Sequence, residues 1–410
     1  MAIVGISNHA GKLRHLLGND ENRKTVLKEV EGINAYLAPG LNVIVSPKSK
    51  ALDGRALMEW GNKPTDGGNF FLTSEERSAL IAAAPAAKKY IERFLGALDF
   101  IRGRERYCLW IRDDEREQAE AIPEIRRRIG EVAKMRSESK AAETRPAAAF
   151  PHCFRQIQSV AIERTLVVAR VSSEQREFLP IGFESKETII GDRNFALYDA
   201  LLWNMALIAS RLHLVWIGTV CVRMRTDLSY SNTLGWNTFP VPVLTAQNKT
   251  DLRRCAEDIL LAREVHFPAT IAELYDPVKM PANLREALER HDETLERIYL
   301  GHRFKNDTER LEKLLELYTQ MTAMAPAKKA GRKKGGVAER GPASDRSGTP
   351  AGVRNRGLLG SGGVASLNHR LQAFIPPGCG CPMPIIPRCR SFPDADYSPM
   401  PEASHLVAGG

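Results

Sequence analysis

The sequence is poor in three things that would place a chain quickly: paired cysteines, unbroken apolar runs and, outside its last fifth, net charge. Only 7 cysteines occur in 410 residues. Their odd number and scattered positions do not form a disulfide framework, which fits a reducing cytoplasm. Cys108, Cys153, Cys221 and Cys255 show no base or metal partner in the sequence, and the one cluster, Cys379, Cys381 and Cys389, matches no zinc spacing, so no metal site is read. The longest apolar stretch, Leu201–Val222, is broken by Asn204, Arg211 and His213. Charge at mid-membrane is costly, so a buried core segment is expected and no membrane partner. The opening MAIVGISNHAGK has no basic leader or small-residue cleavage site, so no secretory signal is read.

The formal net charge is +9, but residues 325–410 hold 12 Lys or Arg against 5 Asp or Glu, and the other 324 residues hold 46 against 44. The basic balance therefore belongs to the tail, and says nothing about what the body binds. Gly and Pro make up 25 of those last 86 residues. No packed core is expected there; residues 323–410 read as a disordered basic tail.

What is present is a body of mixed pattern. Ala2–Ile6 and Asn42–Ser46 read as strands around a polar, helix-compatible stretch, Asn19–Glu31. GNKPTDGGN, residues 61–69, is dense in turn residues. Thr73 with Glu76 reads as a capping box opening a helix toward Tyr90. Tyr107–Ile111 reads as a buried strand, and Pro123–Lys140 as a helix with Ile125, Ile129 and Val132 inside and Arg126, Arg127 and Arg128 outside. Leu166–Arg170 and Phe178–Phe183 read as strands, and Pro240 with Pro242 as a domain exit. From Lys249 to Met324 the pattern is helical, with Asn283 and Glu286 capping one helix and Leu311, Leu314, Leu315 and Tyr318 on the face of another. His213 and the tryptophans 203, 216 and 236 are expected in the core.

Val222–Ser231, VRMRTDLSYS, alternates without a break: Val222, Met224, Thr226, Leu228 and Tyr230 against Arg223, Arg225, Asp227, Ser229 and Ser231. Period two predicts one half-buried strand. Its polar face sets a guanidinium and a carboxylate two residues apart, and in a DNA major groove Arg donates two bonds to guanine while Asp accepts from cytosine. An ordinary surface ion pair on an edge strand fits the same pattern.

Several co-linear segments decide between these readings. GNKPTDGG (61–68), LDFIRGRERYCLW (98–110), ARVSSEQREFLPIGF (169–183), the block 210–242 and AELYDPVKMPANL (272–284) resemble the MmeI-like family of restriction-modification DNA methyltransferases over roughly residues 1–322. The resemblance implies an α+β chain. Residues 1–60 would be trailing strands of a methyltransferase domain, 61–243 a mixed target-recognition domain, and 244–322 a helical C-terminal segment. It further implies double-stranded DNA as partner, with Arg225 and Asp227 reading a base pair, Arg223 and Ser229 beside them, and Arg170, Ser172, Ser173 and Arg176 on phosphate. Leu228-Ser229 departs from the family's aromatic-basic pair near that strand.

The complete family enzyme transfers a methyl group from S-adenosylmethionine to an adenine amine. That chemistry needs a glycine-rich turn after a first strand and an Asn/Asp-Pro-Pro-aromatic loop that holds the flipped base. Neither occurs; Asp276-Pro277 is followed by Val278 and Lys279. The chain is thus expected to hold no catalytic residue and no cofactor, to read DNA for a site-specific adenine methyltransferase, and to pair with a separately encoded catalytic chain. An inactive remnant of a decayed gene and a protein-interaction scaffold on the C-terminal helices are the alternatives.

Overall fold

The computed structural model describes residues 13–19, 25–39 and 42–323. The strand expected at Ala2–Ile6, the tail and its three cysteines lie outside them. In chain order come β1 (Arg14–Asn19), β2 (Thr25–Val30), β3 (Glu59–Trp60), β4 (Phe71–Leu72), α1 (Ser74–Ala83), β5 (Ile91–Leu95), α2 (Ala97–Arg102), β6 (Tyr107–Leu109), α3 (Arg116–Glu120), α4 (Pro123–Ser137), β7 (Arg164–Ala169), β8 (Val171–Ser172), β9 (Ile181–Ser185), β10 (Thr188–Ile190), β11 (Asn194–Tyr198), α5 (Leu202–Ala209), α6 (Arg211–Val220), β12 (Arg223–Met224), β13 (Asp227–Ser229), α7 (Ala246–Glu264), α8 (Ile271–Leu274), α9 (Ala282–Leu300) and α10 (Asp307–Ala323). The fold is α+β with a helical C-terminal segment. Among the described residues no helix is long and apolar enough to cross a membrane.

Two four-stranded sheets, β10-β5-β6-β4 and β3-β11-β7-β9, form the centre. They meet at Gly61. Its backbone runs so close to the Gly191 carbonyl that a Cβ would lie 2.1 Å from that oxygen, and a Cβ on Gly191 would strike the Phe94 ring at 2.4 Å. The first sheet packs through Phe70, Phe94 and Leu109 onto Ile125, Ile129 and Val132 of α4.

α4 carries the expected apolar stripe, but Arg136 continues that stripe at helical spacing and is fully buried. It donates all five guanidinium N–H groups to carbonyls: Thr65 (2.9 Å), Pro64 (2.9 Å), Ala147 (3.1 Å), Phe150 (2.9 Å) and Cys153 (2.8 Å). Arg128, expected outside, is also buried and bonds the Asn69 and Phe71 carbonyls. These two arginines hold the 61–69 turn, where Thr65, Gly67 and Gly68 take positive φ.

Five other expectations are corrected. Asn19–Glu31 is not helical: Thr25–Val30 is a strand paired with Arg14–Asn19, with Leu17 opposite Leu27 and His15 opposite Glu29. Cross-strand pairing there overrides local helix compatibility. Asn42–Ser46 forms no strand. It begins an extended strap whose carbonyls at Lys48, Ala56 and Met58 accept from Asn237, Trp236 and Asn232. The capping box at Thr73 and Glu76 is present, but α1 stops at Ala83 because Pro85 forces the preceding residue out of the helical region. Asn283 does not cap the helix it precedes in the sequence reading. α9 starts earlier, at Ala282 after Pro281, and the Asn283 side chain bonds His266 and the Ala262 carbonyl at the end of α7.

Finally, Val222–Ser231 is not one strand. Arg225 and Thr226 form a two-residue loop between β12 and β13, with Met224 opposite Asp227. Arg225 takes φ +60°, as the first loop position of a tight hairpin requires. The reversal breaks the alternation: Leu228 and Tyr230 are buried, but Val222 is 70% and Met224 59% exposed.

The apolar segment is largely buried as expected in α5 and α6, with its two ends, Leu201 and Val222, exposed. His213 bonds the Tyr230 hydroxyl at 2.9 Å and packs edge-on to Phe239, and burial lowers its pKa to about 3. Burial likewise lowers His291 to about 4, and raises Asp292 to about 7 against the opposing bond from the Arg211 amide. Trp216 and Trp236 are fully buried; Trp203 is half-buried.

Two tests follow from this packing. Arg136→Lys keeps the charge but loses the five-donor fork, so at least two of the five bonds to buried carbonyls are lost; urea melts should show a loss of about 2–4 kcal/mol, and an unchanged midpoint would contradict the brace. Between pH 6 and 5 the unfolded chain protonates both histidines while the folded chain does not, so stability falls with pH. Asp292, protonated in the folded chain and ionised in the unfolded one, opposes this by one proton. These three groups together contribute a slope of about 1.4 kcal/mol per pH unit, and Asp292→Asn should steepen the measured slope by about as much again. Equal slopes would show that Asp292 titrates normally.

Candidate nucleic-acid interface

The hairpin β12–β13 extends a three-stranded sheet through β8, with Leu228 opposite Ser172 and Ser229 opposite Val171. The sequence reading placed eight residues on two segments, and this sheet brings the segments together. Leu228 anchors the sheet from below, leaving the tip in solvent.

Each of the eight stands differently. Arg225 is exposed at the tip, and among the described residues its guanidinium has no hydrogen-bond or ion-pair partner. Arg223 donates to the Thr226 carbonyl at 3.0 Å and faces Glu174 at 3.7 Å, which stiffens the loop. Asp227 and Ser229 are half-buried. Ser229 donates its amide to the Val222 carbonyl at 3.1 Å. Ser172 is buried within the sheet; the Ser173 hydroxyl accepts from the Gln175 amide at 3.3 Å.

Arg170 and Arg176 are held more tightly. Arg170 lies over the Trp60 ring, 3.9 Å from its centroid, and donates to the Asp192 carbonyl at 3.2 Å. Burial lowers its pKa, the nearby Arg193 adds to that and Asp192 opposes it. Burial also lowers Arg176, against the carboxylates of Asp227 and Asp276. A cation disfavoured by burial gains from an added anion, which suits both to a phosphate. Arg193, exposed in the turn between β10 and β11, is a further cation that the sequence reading passed over. Its only signal was a basic residue in the Gly191-Asp192-Arg193 turn.

Behind the hairpin lies a cavity of about 360 Å³, lined by Glu174, Arg176, Arg211, Arg223, Leu228 and Asp307 among others. Its far wall is α10. Arg211 is bidentate to Asp307 (3.1 and 2.6 Å), and Arg310 joins Asp307 (3.0 Å) to the buried Glu296 (2.6 Å). The helix α6 that leads into the hairpin is thereby fixed to the C-terminal helices.

Comparison with known proteins finds the MmeI target-recognition domain over residues 39–243 and the MmeI C-terminal domain over residues 244–325. DNA methyltransferase A of Bacillus subtilis (strain 168) is 35% identical over 322 residues, covering 78% of this chain and 36% of that protein. The solved Type IIL restriction-modification enzyme MmeI in complex with DNA superimposes with a TM-score of 0.70 at 30% identity, covering 77% of this chain and 42% of that one. The chain thus spans less than half the length of either.

The exposed tip separates stability from whatever Arg225 contacts. Arg225→Gly relieves a left-handed backbone at a cost in unfolded-state entropy, so thermal melts should show no loss and a gain of up to about 1 kcal/mol. A loss above that size would mean that the guanidinium holds the fold.

Proposed function

We propose that this chain, which belongs to the MmeI family of restriction-modification DNA methyltransferases through its target-recognition and C-terminal domains, reads double-stranded DNA with the tip of the β12–β13 hairpin. The observation that carries the reading is Arg225: a guanidinium free of internal partners, on a two-residue loop stiffened by Arg223 and backed by a sheet. Such a group can donate both bonds to a guanine edge without breaking any bond of its own. Asp227 and Ser229 flank it as further base contacts, while Arg170, just before β8, and Ser173 and Arg176, in the loop after it, form the phosphate side; Ser172 is buried within β8 and out of reach of a phosphate.

On this reading the module serves an adenine-specific methyltransferase whose catalytic domain, supplied by another chain, binds S-adenosylmethionine. The residues described here do not fit that donor. β1 and β2 form an antiparallel hairpin, whereas a nucleotide-type cofactor is held at a glycine-rich turn leading from a strand into a helix. The bonded strap 42–58 stays with the recognition module, which supports a catalytic domain joined through the segment before it.

A selection from a random duplex library, followed by anisotropy titrations on the selected and on scrambled duplexes, tests the reading. Arg225→Ala should cost about 1–3 kcal/mol on the selected duplex and relax preference at one base pair, with little change on the scrambled one. An equal loss on both duplexes would make Arg225 a phosphate contact instead.

A further inference from the structure

Asp113, His152 and Cys153 are far apart in sequence or unremarkable together, yet the fold gathers their ligand atoms. The Asp113 Oδ1 lies 2.7 Å from the His152 Nε2, and the carboxylate, imidazole and thiol ligand atoms all lie within 4.8 Å of one another. Sequence spacing assigned Cys153 no partner because Asp113 arrives from another loop.

The cluster is built on fixed backbone. Asp113 opens a 3₁₀ turn, Asp113–Glu115, and the pair His152-Cys153 sits just past another, Arg145–Ala149. Arg136 holds the Phe150 and Cys153 carbonyls on either side of His152. Trp110 packs edge-on against Phe154 at 5.0 Å, joining the two loops. Apart from the Asp113–His152 contact the side chains make few bonds. His152 is 4% exposed and its Nδ1 has no partner among the described residues; the thiol has only a 3.6 Å contact to the Phe150 carbonyl. The Asp113 side chain is 90% exposed, so it can adjust.

We propose that Asp113, His152 and Cys153 form a binding site for a divalent cation of the zinc class. One imidazole nitrogen, one sulfur and one carboxylate oxygen are the donor set of zinc, and they exclude magnesium and calcium, which take oxygen. Bonds of about 2.0–2.3 Å place tetrahedral ligands roughly 3.3–3.8 Å apart. The exposed Asp113 need therefore swing only slightly outward, and the fourth position opens to water on its side. Binding displaces the Cys153 thiol proton to solvent, and the cation then ties the 110–115 loop to the 150–154 loop at the edge of the recognition domain.

Cobalt(II) titration of the full chain tests this, with Cys379, Cys381 and Cys389 changed to Ser so that tail thiols cannot contribute. One equivalent should bind, with tetrahedral visible bands and a sulfur-to-cobalt charge-transfer band, all displaced by zinc. Cys153→Ser should abolish the charge-transfer band. Asp113→Asn, at a side chain too exposed to affect folding, should weaken cobalt binding at least about tenfold. Absence of the bands in the tail-substituted chain, their survival in Cys153→Ser, or an unchanged affinity in Asp113→Asn would each overturn the site.

Discussion

The recognition domain depends on the burial of one guanidinium. Arg136 sits in the interior with no carboxylate bonded to it, and five carbonyl dipoles replace the water it lost. Burial lowers its pKa, with Asp66 and Cys153 opposing. The arrangement works in both directions. The Pro64 and Ala147 carbonyls each also accept a backbone amide, from Arg155 (3.1 Å) and Phe150 (3.3 Å), whereas Thr65 and Cys153 lie in irregular segments and look to the guanidinium. Only a planar five-donor group can meet all of them at once. Because the same turn begins at Gly61, where the two central sheets nearly touch, the brace on the turn also sets the sheets' spacing.

From that junction the support reaches the hairpin by two routes. Through the second sheet, β7 runs into Arg170, whose carbonyl accepts the Tyr230 amide at 2.8 Å, tying the exit of the hairpin to the sheet. Through the helices, Arg211 at the start of α6 is held by Asp307, and Arg310 links that carboxylate to Glu296, which is 1% exposed. A buried network of this kind adds modestly to stability, since its desolvation offsets most of the attraction, but it defines one geometry. Its effect here is to set the direction in which α6 delivers Val222 to the hairpin.

Much of this was legible in the sequence. The Thr73 and Glu76 box, the Ile125, Ile129 and Val132 stripe, the buried α5–α6 segment, and Leu314, Leu315 and Tyr318 on α10 all follow from local chemistry and period. Arg136 was not read: it extends the α4 stripe by four residues, but a charged residue at a core position carries no hint of its acceptors, which lie up to 72 residues away. The hairpin was hidden for a different reason. Residues paired across the loop, such as Met224 and Asp227, lie an odd number apart, so the unbroken alternation in the sequence argued against a two-residue reversal, and Arg-Thr lacks the Asn-Gly or Asp-Gly signal that marks such loops. The two segments carrying the eight candidate contacts pair in one sheet, which no local pattern foretold, and that pairing buries Ser172.

The reversal also changes what the two charged residues can do. On a single strand Arg225 and Asp227 would share a face and neutralise one another. On the hairpin Arg225 is in the loop, while Asp227 lies in β13 within the field of the half-buried Arg176. The guanidinium is therefore free to bond a base at no internal expense, whereas the carboxylate must weaken its hold on Arg176 to accept from one. If both read the same base pair, the donor contact supplies the affinity. The acceptor contact then works mainly by exclusion, since a base that presents oxygen or N7 to Asp227 meets a negative charge.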